Sequence, residues 1–205
     1  TLTGAAKPET IHDFYGFPDA LYRVKYPAPG APDLADRVSA LLAPDVVKRE
    51  PERGLDHGVW TPLVHLFPAA DVPVLQLSVP SQWGASGLFA LGQRLAPLRD
   101  EGVLVIGSGN VTHNLRAVSA EGAQTPSWAA EFDAWAHEAL DRADVDTLLA
   151  YREKAPALRM THPTEDHWLP LYVALGAAPP APGQARYPVD GWEFGSISRR
   201  SIELG

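Results

Sequence analysis

Three segments carry the side chains able to move protons or hold a metal: GLDHG at 54–58, GSGNVTHN at 107–114 and HPTEDHW at 162–168. Each sets a histidine beside turn-forming or acidic residues instead of inside an apolar run. Imidazole titrates near neutral pH and also ligates borderline metals, so convergence of the three would make a metal-assisted acid/base site.

Each segment has a functional reading and a plainer one. His113 follows an apolar run, Val103–Ile106, and a turn containing Gly107 and Gly109. In open α/β folds, ligands bind outside the carboxyl ends of parallel strands, and glycine lets the backbone come close to them. The plainer alternative is a loop histidine that meets only water. The same GSG lacks the third glycine or following lysine of the phosphate-binding loops, and no G-x-S-x-G nucleophile turn is present.

His167 is expected in the first turn of a helix capped by Thr164. There the helix dipole disfavours imidazolium while Glu165 and Asp166 pull the other way. The alternative is simple capping with an exposed ring. His162 lies five positions upstream with Pro163 between. His57 stands between Asp56 and Gly58, and Asp56 would either fix the imidazole tautomer or cap a helix. His65 and His137 fall within expected helices and read as structural or solvated; His12, in IHDFYGF, is open.

These residues need elements to place them. Leu34, Val38, Leu41 and Leu42 mark a helix with one buried face. A short strand is expected at 46–48, a helix at 60–67 stopped by Pro68, and a buried strand at 72–79. Leu88, Leu91, Leu95 and Leu98 give a second helix, ending at Gly102. Val103–Ile106 reads as a strand covered on both faces. Trp128, Phe132, Trp135, Ala139 and Leu140 give a third helix, and Leu148–Tyr151 a short one. A further helix presents Trp168, Leu171, Tyr172 and Leu175, and two closing strands are expected within 185–204. The alternation implies a three-layer α/β/α sandwich around a central, mostly parallel (mixed) sheet.

A chain of 205 residues fits one domain. A formal charge of −8, with no local run of Lys or Arg, argues against nucleic acid or an anionic membrane as the main partner. The lack of cysteine excludes disulfides, thiolate catalysis and zinc fingers. No apolar run approaches membrane-spanning length, and a cytoplasmic location is the expectation. Oligomeric state is left open.

Taken together and in order, ETIHDFYGFP, YPAPGAP, GLDHGVWTPL, DVPVLQLSV, LRDEGVLVIGSGNVTHNLR, PTEDHWLPLYVALGA and GWEFGSISRRS make the chain similar to class III extradiol ring-cleavage dioxygenases of the LigB type. The resemblance is strongest to the aromatic-ring-opening branch that includes DOPA dioxygenases, and it runs almost end to end. It implies a non-haem Fe(II) site that opens a catechol ring beside its two hydroxyls with O₂. By the same resemblance His167 is a metal ligand. His113 is the acid/base, close enough to the metal to engage Zn(II) if zinc fills the site. His57 is a second histidine beside the substrate. His12, Asp13 and Trp60 are candidates to touch substrate, and Arg116 could receive a substrate carboxylate.

The family pattern also has ligand histidines in an H-G-S-P-like turn and an S-A-H-W-like segment, and neither motif occurs in these residues. Because a mononuclear site needs three protein ligands, the expectation is a single catalytic domain, 1–205, lacking its N-terminal metal-ligand segment and inactive alone. Rival readings are a non-catalytic relative that uses the fold for binding or assembly, and a zinc-dependent hydrolase.

Overall fold

The computed structural model describes residues 1–205, which divide into two compact units, Thr1–Ser78 and Val79–Gly205. The class is mixed α/β. Its elements are helices and short strand ladders, and no helix is long and apolar enough to cross a membrane.

In the first unit β1 (Leu2–Thr3) precedes α1 (Asp19–Tyr22), α2 (Pro32–Leu41), β2 (Arg49–Glu50) and α3 (His57–Leu66). β1 and β2 are parallel, with Leu2 opposite Arg49 and Thr3 opposite Glu50. Single parallel bridges join Thr10 to Leu55 and Gly30 to Val74. α2 starts with proline at its first position, where the missing N–H costs nothing. It buries Ala35 and Val38, on the face the leucine and valine spacing predicts. A core of Tyr26, Ala28, Leu55, Trp60 and Leu63 holds α3 against residues 24–28.

Two strand expectations shift here. The strand predicted at 46–48 forms at Arg49–Glu50. The run 72–79 is held by isolated bridges at Val74 and Leu77. Pro73 and Pro80 supply no donors, and the Gln76 N–H goes to the Thr3 hydroxyl at 3.0 Å instead of to a ladder carbonyl.

The second unit opens with a 3₁₀ turn at Ser81–Trp83. It continues through α4 (Gly84–Leu95), α5 (Pro97–Asp100), α6 (Ser127–Asp141), α7 (Val145–Leu149), α8 (Tyr151–Lys154), α9 (Leu158–Thr161), α10 (Pro170–Ala177), β3 (Trp192–Glu193) and β4 (Ile197–Ser198). The single helix expected from Leu88 to Leu98 is α4 and α5, parted at Pro97. α4 lies directly on α10: a Cβ on Gly92 would overlap the Val173 carbonyl, and one on Gly176 the Phe89 carbonyl. Two glycines thus bring the helix axes close enough for Leu88, Leu91 and Leu175 to be buried.

α6 buries Ala129, Phe132, Ala136, Ala139 and Leu140, leaving Trp128 and Trp135 half-buried at the stripe's edge. β3 and β4 pair antiparallel, as the closing strands predict. Asp133, buried on α6, accepts from the Arg200 guanidinium (2.6 Å) and the Ser198 hydroxyl (2.6 Å), tying β4 to α6. Val103–Ile106 departs from expectation. It forms no ladder, and Leu104 and Ile106 are 66% and 45% exposed, so only one face of the segment is covered.

Candidate functional site

The 107–114 loop and the 162–168 turn of the second unit are built against each other. Asn110 N–H donates to the His167 carbonyl (2.9 Å), and His113 N–H to the Thr161 carbonyl (3.2 Å). The Asn114 amide donates to the Met160 carbonyl at 2.6 Å. His162 Nε2 donates to the Val111 carbonyl at 2.8 Å. A Cβ on Gly109 would overlap the His167 carbonyl, so only glycine allows this approach. The Thr112 hydroxyl donates to Ser196 O and accepts from Ser198 N, both at 2.7 Å, anchoring the loop on β4.

This scaffold stacks the imidazoles of His113 and His167, with ring centroids 3.5 Å apart and planes 9° from parallel. Burial holds His113 below its ordinary pKa, and the neighbouring His167 ring adds to the effect, because a second cation there would be repelled. His113 is therefore set up as a neutral imidazole able to take a proton. His167 Nδ1 lies 2.9 Å from Asp166 Oδ2 but is buried without a hydrogen bond, the two groups being misaligned. Burial pushes the Asp166 carboxyl up, but the Thr164 hydroxyl and the two imidazoles outweigh it and leave its pKa lowered.

The expected cap is corrected. α10 starts at Pro170, and His167 stands in the turn before it rather than in a first helical turn. Proline at the first position sets that start. Glu165 does not act on His167 either. Its carboxylate takes a two-pronged contact from Arg152 (3.0 and 2.5 Å) and the Tyr151 hydroxyl (2.7 Å). His162 is a core residue, 3% exposed, bonded through Nε2 alone.

His57, His12, Asp13 and Trp60 lie together in the first unit. His57 opens α3, and its Nδ1 donates to Asp13 Oδ1 at 2.7 Å. The same oxygen accepts from the His57 backbone N–H at 3.2 Å. Asp56 is neither its partner nor a side-chain cap: it holds Arg53 (3.0 Å) and Gln76. Burial raises the Asp13 carboxyl, yet the hydrogen bonds from His57 outweigh it and leave the pKa lowered. His12 is walled by Phe14, Tyr22 and Trp60, with Nε2 donating to the Val24 carbonyl at 3.0 Å. Trp60, 1% exposed, donates from Nε1 to the Ile11 carbonyl (2.8 Å) and is core. A groove of about 680 Å³ elsewhere in the unit is lined by Glu9, Glu50, Glu52 and Arg53 and by none of the candidate histidines.

The imidazoles of His113 and His167 suit Fe(II) or Zn(II) by donor type, and the unbonded His167 Nδ1 marks a ring with spare capacity. In number they fall short, because no group of three or more His, Cys, Asp or Glu side chains is arranged to hold an ion. The Asp13–His57 contact is the feature the sequence reading missed. Its only signal was an acidic residue beside His12, which does not reveal a partner 44 positions away.

Residues 1–201 match the family described as the catalytic LigB subunit of aromatic ring-opening dioxygenase. A protein named 4,5-DOPA dioxygenase extradiol from Beta vulgaris is 47% identical over 83% of this chain, which spans 65% of that relative. One of the same name from Escherichia coli K12 is 42% identical over 100% of the chain, which spans 76% of it. The crystal structure of an uncharacterized Escherichia coli K12 protein superposes with a TM-score of 0.79 at 37% identity, over 98% of this chain and 82% of that one. Matched over residues 1–201 and sharing the fold of a solved relative, the chain belongs to the LigB family of aromatic ring-opening dioxygenases.

Proposed function

We propose that the protein is an extradiol ring-opening dioxygenase that cleaves a small catecholic substrate with O₂ at an Fe(II) centre, Zn(II) being a second ion its imidazoles would accept. The observation that carries this reading is the stacked His113–His167 pair, in a chain matched to the family over 1–201. His167 is the metal ligand. A mononuclear site needs protein donors beyond this one, and residues 1–205 belong to one catalytic domain. When bound, the metal would orient the two catechol oxygens and O₂ beside one another.

His113 takes the proton of an incoming catechol hydroxyl and returns it later in the reaction. Its depressed pKa suits the first step, since burial and the neighbouring His167 ring favour the neutral, proton-accepting imidazole. His57 accepts a hydrogen bond from the substrate at Nε2, because its Nδ1–H is committed to Asp13. For the complete fold we propose the three-layer α/β/α sandwich with a mostly parallel central sheet. The parallel pairings of β1 with β2, Thr10 with Leu55 and Gly30 with Val74 support it.

The test is anaerobic reconstitution of the full-length protein with Fe(II), then addition of a catechol and O₂. Ring opening to a coloured semialdehyde with matching O₂ uptake is expected, and failure of the metal-loaded enzyme to consume any catechol overturns the reading. His113→Ala should abolish turnover with metal content near wild type, whereas His167→Ala should empty the site. Loss of metal from H113A would make His113 a ligand.

A further inference from the structure

We propose that Asp13 is the positioning residue for His57, fixing the Nδ1–H tautomer so that Nε2 carries the lone pair. This rests on the reading that His57 serves the reaction. It gives Asp13 a role different from substrate contact, since the carboxylate oxygen nearest His57 is already engaged twice.

The geometry is built into the backbone. Leu55 N–H donates to the Glu9 carbonyl and Ile11 N–H to the Leu55 carbonyl, both at 2.7 Å, so residues 9–11 run in fixed register with 55. Gly54 permits that approach, because a Cβ there would overlap the Glu9 carbonyl. Trp60 adds a second tie from α3 to Ile11. Asp13 therefore reaches His57 from a segment held on both sides of the contact, and Oδ1 meets the backbone N–H and ring Nδ1 of one residue. Phe14 stands edge-on to the His57 ring at 5.7 Å and 88°, limiting its rotation. Asp56, the nearest carboxylate in sequence, is occupied by Arg53 and Gln76. With the side chains 46% and 40% exposed, the pair remains open to a ligand.

A carboxylate accepting from Nδ1–H selects the tautomer whose Nε2 accepts a proton or hydrogen bond. The competing role is purely structural: Asp13 would satisfy a free N–H at the start of α3. The ring tautomer separates the two, because a purely structural role leaves it unmoved, and asparagine serves as the conservative rescue. Because one oxygen accepts both bonds, an Asn oxygen keeps that place and donates nothing to His57.

The experiment combines ¹⁵N NMR of the His57 ring in alkaline buffer with steady-state kinetics of the full-length metal-loaded enzyme. Wild type and Asp13→Asn should show Nδ1–H. Asp13→Ala should shift to the Nε2–H form, and its kcat should fall roughly 10- to 100-fold with KM little changed, D13N recovering most of the loss. Should D13A not fold, Asp13→Ser, too short to reach Nδ1, is measured in its place with the same expectations. An unchanged Nδ1–H tautomer in D13A overturns the proposal, as does a changed tautomer with unchanged kcat. Absence of catechol cleavage by the wild type overturns the dioxygenase reading instead, and the tautomer result stands apart from it.

Discussion

Stability on acidification should be set in large part by His162, one buried ring. It is 3% exposed and lies against Phe132 and Trp168 at 5.2 and 5.9 Å. Nε2–H donates to the Val111 carbonyl, so a second proton would have to go on Nδ1, which is buried without an acceptor. Burial accordingly pulls the pKa from 6.5 down to about 4, against the opposing pull of the Val111 carbonyl. Above 6.5 the ring is neutral in both folded and unfolded chains, and its contribution is fully present. Between 6.5 and about 4 the unfolded chain binds a proton that the folded one refuses, so stability is lost as the pH falls through this window. At about 1.4 kcal/mol per pH unit, that gap is worth roughly 3 kcal/mol. His162→Gln keeps an N–H for Val111 and removes the titration. Urea unfolding of both proteins from about pH 7.5 to pH 4 should show wild type losing about 3 kcal/mol more than H162Q. Parallel curves for the two proteins would falsify the reasoning.

Gly109→Ala places a methyl group against the His167 carbonyl, so it should cost about 1–3 kcal/mol, seen as a lowered denaturation midpoint, and weaken metal uptake by the full-length enzyme. Gly92→Ala and Gly176→Ala force α4 away from α10 and should each cost about 1–3 kcal/mol without changing metal content, measured by denaturation and metal analysis. Asp133→Ala leaves the mostly buried Arg200 guanidinium without its carboxylate and should destabilise by about 3 kcal/mol or more in chemical denaturation; a loss under 1 kcal/mol would mean Arg200 finds water instead.

Much of the helical structure is legible in the spacing of apolar residues. The faces of α2, α4 and α6 follow from 3.6-residue periodicity, which depends only on local geometry. Val103–Ile106 shows where that reasoning stops. A run of apolar residues says that the chain is extended, but burial on both faces needs partners that the run itself does not specify. The start of α10 is a similar case. Thr164 and Pro170 both offer a helix beginning, and the helix starts at Pro170, whose fixed φ suits the first position.

The candidate site divides in the same way. Residue types and motif order by themselves determined the family and which histidines to examine, because imidazole chemistry and the motifs are properties of the residues alone. Partnerships were decided only by the tertiary structure. It stacked His113 on His167, gave His57 to Asp13 instead of the adjacent Asp56, and turned His162 into a core residue. The physical reason is that neighbouring side chains on a chain point apart, whereas backbone register and close approach at Gly54 and Gly109 set distant residues face to face.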